Sequence, residues 1–156
     1  MIRKCFTLVE LLIVIVIIGI LAAAMLLSSG SATDSAEASN IISDMRSLKS
    51  AALLLHADSM DDNSPGGYQS TGPTLGAIVR YADNAQKYLA DDSGWEVVRI
   101  PAAGGDWHIR RHLDVAGNSV SSGVKARLSS RAANVGLVNN AGETYNNHPY
   151  VAMKIR

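Results

Sequence analysis

The sequence contains a single cysteine, Cys5, among its 156 residues. One cysteine excludes an internal disulfide framework and a zinc site built from several thiolates, so the stability of any folded domain must come from packing. The sequence also lacks a glycine-rich phosphate loop and a nucleophile-elbow motif. It therefore predicts no enzymatic activity, no catalytic residues, no cofactor and no metal site.

Charge is almost absent from residues 6–27, a run of 22 residues in which Glu10 carries the only charge. As a helix that rises about 1.5 Å per residue, this run spans roughly 33 Å, enough to cross the hydrocarbon core of a bilayer. Arg3 and Lys4 precede the run, and the next basic residue is Arg46. The positive-inside rule therefore predicts a cytoplasmic N-terminus and an exported C-terminal part.

Glu10 is difficult to explain in a plain membrane anchor, because a carboxylate within the membrane costs about 2.5–3.5 kcal/mol on insertion scales. A cleaved secretory signal is a second interpretation, although its apolar region would be unusually long. In a third interpretation the chain is cut before Phe6, and the new amine lies one helical turn from Glu10. Helices stacked with an axial offset then bring Glu10 of one copy beside Phe6 of the next, and such stacking generates open filaments.

The segment "CFTLVELLIVIVIIGILAAA" resembles the class III signal segment of type IV pilins and type II secretion pseudopilins. The resemblance implies that a prepilin peptidase removes residues 1–5, cutting between Cys5 and Phe6, and that Phe6 is N-methylated. It also implies that Glu10 is the carboxylate used in assembly. The other matching positions are Thr7, Leu8 and Gly19.

The chain departs from the family pattern at two places. Cys5 replaces the glycine that usually precedes the cut, and no proline lies near Leu27, where many members have one. Gly19 and Gly30 would have to supply any local unwinding, since glycine in a helix interior costs about 1 kcal/mol relative to alanine.

Apolar periodicity predicts that the first helix continues well beyond the apolar run. Side chains at spacings of three and four residues form one stripe: Ile41, Met45, Leu48, Ala52 and Leu55. We therefore expect a long helix over residues 6–57. A second helix is predicted from Thr74 to about Ala90.

The remaining segments predict a small sheet and a third helix. "GWEVVRIP" and "DWHIRRHLD" are expected to form a hairpin, and "HPYVAMKIR" a final strand. "SSGVKARLSSRAANVGL" predicts a helix with Lys125, Arg127 and Arg131 on its outer side. The predicted fold class is α+β and pilin-like, with a leader (1–5), a transmembrane or filament-core segment (6–27) and an exported head (28–156).

Charge is distributed unevenly along the chain. Residues 6–92 contain 4 basic and 10 acidic side chains, whereas residues 93–156 contain 8 basic and 4 acidic ones. One hypothesis is that the negative earlier half of one head meets the positive later half of a neighbour. Without residues 1–5 these counts sum to a net charge of −2, which argues against a generally nucleic-acid-binding surface.

Three groups in the predicted head are candidates for ligand binding, and for each the simpler interpretation is favoured. Arg110 and Arg111 in "WHIRRH" are a candidate patch for DNA or an anionic glycan, with a solvated strand face as the alternative. His108 and His112 lack a third ligand for zinc. An acidic group near the end of the long helix lacks the spacing of a calcium loop: Asp58, Asp61 and Asp62.

The predicted function is that of a structural subunit of a type IV pilus or pilus-like filament. Its expected partners are further copies of itself, the prepilin peptidase, the inner-membrane assembly machinery and, before assembly, membrane lipid. The precursor is expected in the inner membrane, and the product in an extracellular pilus or a periplasmic pseudopilus. Alternatives are a pseudopilin for protein export, a minor pilin whose head binds DNA or a surface, and a secreted enzyme beginning near Thr33.

Overall fold

A computed structural model describes residues 6–59 and 72–155. The first helix, α1 (Leu8–Ser59), has 52 residues and is about 78 Å long. It passes through Gly19 and Gly30 without interruption, so the local unwinding considered at these glycines is not seen. The other helices and strands are α2 (Leu75–Ile78), α3 (Ala85–Leu89), β1 (Trp95–Ile100), β2 (Asp106–His112), α4 (Ser122–Val135), β3 (Leu137–Val138) and β4 (Tyr150–Lys154).

The C-terminal half of α1 forms the centre of the head's core. Four members of the predicted stripe are buried, and Leu55 is partly buried against them: Ile41, Met45, Leu48 and Ala52. This pattern confirms the long helix, because side chains three and four residues apart lie on one face.

A four-stranded antiparallel sheet with the order β1-β2-β4-β3 packs against α1. The hairpin between β1 and β2 is confirmed, with Val97 opposite Ile109. Gly104 and Gly105 allow the tight connection, because both have a positive φ that other residues rarely adopt. The predicted last strand is also confirmed: β4 lies between β2 and β3. The expected α+β architecture is therefore correct.

The predicted second helix is wrong as a continuous element. α2 is followed by a 3-10 turn (Val79–Tyr81), and the chain is extended at Ala82 before α3 begins. Asp83 and Asn84 lie at this break, and both residue types favour turns over helix interiors. The interruption leaves Tyr88 buried in the core.

α4 has well-defined ends and packs against α1 and β3. The Ser121 hydroxyl accepts a hydrogen bond from the Val124 amide, and Gly136 ends the helix in the left-handed conformation. Its buried face consists of Val124, Leu128 and Ala132. The three basic side chains predicted on its outer side lie away from this core, and each has a partner. Lys125 forms an ion pair with Asp114, and Arg127 and Arg131 donate hydrogen bonds to serine hydroxyls of α1.

Candidate functional site

The N-terminal half of α1 has no cover from the rest of the chain. Its large apolar side chains between residues 6 and 26 are 47% to 84% exposed. Within the described residues, α1 is the one helix that is long and apolar enough to cross a membrane. An apolar surface of this extent marks a site of contact with lipid or protein.

Glu10 and Thr7 form a reciprocal cap at the start of this bare helix. The Oε2 atom of Glu10 accepts hydrogen bonds from the Thr7 amide at 2.9 Å and the Thr7 hydroxyl at 2.7 Å. The Glu10 amide donates to the Thr7 hydroxyl at 3.3 Å. This capping box satisfies backbone donors that a helix end otherwise leaves unpaired, which matters most where water is scarce.

Sequence reasoning missed the role of Thr7, although the pattern was visible. "TLVE" has threonine followed three residues later by glutamate, directly before an apolar run, and this is the sequence signature of a capping box. Glu10 therefore has a function within its own chain. The cap occupies only one carboxylate oxygen: no hydrogen bond to Oε1 is formed by the part of the chain that the structure describes.

The same helix end provides the match to a known family. Residues 6–26 match a family model described as the prokaryotic N-terminal methylation motif. These residues are a class III signal segment of the type IV pilin and pseudopilin kind. The match begins at Phe6, the predicted new N-terminus, and ends at the exposed Leu26. Neither the curated proteins nor the solved structures provided a match to this chain.

The head does not bring Arg110 and Arg111 together. Arg110 lies on the outer sheet face, where its Nε donates to Glu96 at 2.8 Å and its guanidinium lies 4.7 Å from the Tyr150 ring centre. Arg111 points to the inner face and lies over the Trp95 ring at 5.4 Å. Successive strand residues face opposite sides of a sheet, so the two side chains cannot form one patch.

Arg111 is held between the sheet and α1. Burial lowers the pKa of the Arg111 guanidinium, and the nearby carboxylates of Asp44 and Glu37 on α1 oppose that shift. Its Nε has no hydrogen-bond partner among residues 6–59 and 72–155. These surroundings place Arg111 on the inner face of the sheet, toward the acidic side chains of α1.

The two strand histidines differ from each other. His108 lies on the same outer sheet face as Arg110 but is buried, with Val98 and Lys154 opposite it on the neighbouring strands. Its Nδ1 lies 2.9 Å from the Asp106 carbonyl oxygen, and burial lowers the pKa of its imidazole. His112 stacks on Tyr150 with ring centres 4.4 Å apart.

The other residues singled out in the sequence have different outcomes. Asp58 accepts a hydrogen bond from the Tyr81 hydroxyl at 2.7 Å, a contact that attaches the end of α1 to the 3-10 turn. Phe6 is 75% exposed. Five further candidates lie outside the described residues: Arg3, Lys4, Cys5, Asp61 and Asp62.

Proposed function

We propose that the chain is the structural subunit of a type IV pilus or a pilus-like filament, with no catalysis of its own. The observation that carries this proposal is the continuity of α1. One half of the helix is bare over residues 8–26, and the other half is the core of the head. The bare half is suited to lipid before assembly and to the equivalent helices of other copies afterwards.

In this proposal Glu10 has two tasks. Its Oε2 caps the helix through Thr7, and its Oε1 receives the N-terminal amine of Phe6 from a neighbouring copy. A buried carboxylate without a partner is strongly unfavourable, whereas a paired one is tolerated. The amine would become available when a prepilin peptidase removes residues 1–5, and N-methylation of Phe6 would leave it positively charged.

Two substitutions at the helix start separate these tasks. Glu10→Gln keeps an oxygen that can accept the Thr7 bonds but removes the charge. Thr7→Val removes the capping hydroxyl but keeps the carboxylate. We expect Glu10→Gln to insert into the membrane normally and to form no filaments, since the amine then lacks its counter-charge.

Thr7→Val is the matched control and should keep filaments at reduced yield. The measurements are membrane fractionation, N-terminal mass spectrometry of the mature protein, and electron microscopy of sheared cells and of the periplasm. The two locations distinguish a surface pilus from a periplasmic pseudopilus. Normal filaments from Glu10→Gln, or a mature chain that begins elsewhere than Phe6, would contradict the proposal.

A further inference from the structure

The contact between α1 and α4 leaves a groove that combines positive charge with apolar surface. Its volume is about 190 Å³, and its lining consists of Ser39, Ile42, Arg46, Arg131 and Val135. The guanidinium of Arg131 donates to the Ser39 hydroxyl at 2.7 Å and the Ser35 hydroxyl at 2.9 Å. Neither Arg131 nor the exposed Arg46 forms an ion pair within the described ranges. This basic groove therefore fits an acidic side chain that has an apolar neighbour.

The turn between α3 and β1 offers that combination. Asp91 and Asp92 are exposed, and their carboxylates form no ion pair with any residue that the structure describes. Leu89, directly before them, is 46% exposed. We call residues 89–92 the acidic turn.

The basic groove and the acidic turn lie on opposite flanks of the same head. Lys87 and Tyr88 in α3 bind Asp44 of α1 at 2.7 Å and 3.4 Å, so the acidic turn lies on the Asp44 side. Asp44 and Arg46 are two residues apart, which places them about 200° apart around the helix axis. The sheet order agrees, because α4 lies near the β3 edge and α2 near the β1 edge.

We propose that in the filament the acidic turn of one copy docks into the basic groove of the next copy, with Asp91 toward Arg46 and Leu89 against the half-buried Val135. This inference rests on the proposed filament function and names a second contact between the same subunits. Two different surfaces that meet head to tail form an open chain, which is the geometry that a filament requires. Opposite charges on the two flanks also disfavour contacts between identical flanks.

The axial positions of the two surfaces agree with the pairing of Glu10 and Phe6. That pairing displaces neighbouring copies by four residues along the helix. The displacement brings Ile42 of one copy level with position 46 of its neighbour and Arg46 level with position 50, about 3 Å and 9 Å from the level of Asp44, where the acidic turn is attached. The basic groove of one copy and the acidic turn of the next therefore lie at similar heights along the filament axis.

A membrane lipid is a poorer occupant of the basic groove. Ile42 lies 15 residues beyond Leu27, or about 22 Å along α1 from the end of the apolar run. The polar layer of a bilayer leaflet is only about 5–8 Å thick. Lipid phosphates therefore do not reach Arg46 in the membrane-inserted precursor.

Charge exchange in the full-length chain tests the contact. Arg46→Glu places like charges at the interface and should lower filament yield about tenfold or more. The double variant Arg46→Glu/Asp91→Arg should restore the yield, since the attraction is rebuilt with its sign reversed. Arg80→Glu is the matched control: it reverses an exposed arginine on the acidic flank and should not lower the yield. Membrane insertion and head unfolding should match the parent chain in every variant.

Cross-linking gives an independent readout. A chain with Arg46→Cys and Asp91→Cys should form a ladder of multimers with a short bismaleimide in sheared filaments. Each single-cysteine variant should form none beyond the background of the parent chain. Dimers from a single-cysteine variant would show contact between identical surfaces and overturn the proposal.

The failures of the two proposals are distinguishable. If Glu10→Gln abolishes filaments while Arg46→Glu leaves them intact, the filament function stands and the groove contact is wrong. A loss with Arg46→Glu that Asp91→Arg does not restore, together with no ladder, would assign the basic groove to another partner and also overturn the contact.

Discussion

The two halves of α1 share one unbroken helix but have different surroundings. In the C-terminal half, the buried side chains fall on one face and pack against the sheet, α2 and α4. In the N-terminal half, apolar side chains cover the whole circumference, and the large ones between residues 6 and 26 remain exposed. The C-terminal half obtains its stability from packing within the chain, whereas the N-terminal half must obtain it from contact with other molecules.

The boundary between the two halves lies in the serine-rich segment of α1. Contact with the head begins where Arg127 donates to the Ser31 hydroxyl at 2.6 Å, and it continues where the Ser121 hydroxyl donates to Asp34 at 2.6 Å. Small polar residues allow α4 to approach closely at this level. The segment therefore separates the surface that needs lipid or protein from the surface that the head covers.

A truncation in each half gives the largest expected difference. Met45 is fully buried, so Met45→Ala should lower the free energy of unfolding of the head by about 2–5 kcal/mol through the cavity it leaves. Ile15 is 60% exposed, so Ile15→Ala should change the free energy of unfolding of the head by less than about 0.5 kcal/mol.

Denaturant unfolding of the full chain in detergent measures both variants. Tryptophan fluorescence reports on the head alone, because Trp95 and Trp107 both lie in the sheet. An equal loss in the two variants would show that the halves of α1 do not have separate sources of stability.

A smaller effect is expected at the boundary, where α4 meets α1. A Cβ atom at Gly123 would lie only 1.9 Å from the Asp34 carboxylate. Gly123→Ala should therefore displace that carboxylate, break its bond to Ser121 and lower the free energy of unfolding by about 1–2 kcal/mol.

The effect of Gly123→Ala on the free energy of unfolding should change sign when the Asp34 carboxylate is removed. In an Asp34→Ala background, Gly123→Ala should be stabilising by up to about 1 kcal/mol, since alanine is the better helix former. Denaturant unfolding of the four chains of this cycle supplies the test. A loss that is the same in both backgrounds would show that Asp34 is not the group that requires glycine.

Most of the fold could be predicted because strong periodic patterns determine it. The stripe from Ile41 to Leu55 and the two strands of the hairpin are long patterns that one face of a helix or sheet explains. The second helix was predicted too long because Asp83 and Asn84 interrupt an otherwise apolar period. Their turn preference is visible in the sequence, but the apolar spacing on its own does not show the break.

The candidate site was predictable in part, and tertiary contacts account for the rest. The apolar run and Glu10 are local signals, and so is the capping box that was overlooked. The division of charge along the chain was a poor guide to the surface, because the basic groove combines Arg46 from the acidic part with Arg131 from the basic part. Only the packing of α4 against α1 brings these side chains together.

The smallest expected effect is the pH dependence of the free energy of unfolding of the head. It arises from a buried histidine of the sheet and does not involve the bare half of α1. Burial lowers the pKa of His108 below its usual value, and the nearby Asp106–Lys154 pair does not reverse that shift. Below pH 6.5 the unfolded chain therefore binds a proton that the folded head does not, and the free energy of unfolding falls as pH decreases. The slope for one such group is at most about 1.4 kcal/mol per pH unit.

His108→Gln should flatten the decline between pH 6.5 and 5.5, whereas His112→Gln should leave the His108 contribution in place. Unfolding curves at these two pH values decide the point, and a decline that His108→Gln does not alter would assign the protonation to another group.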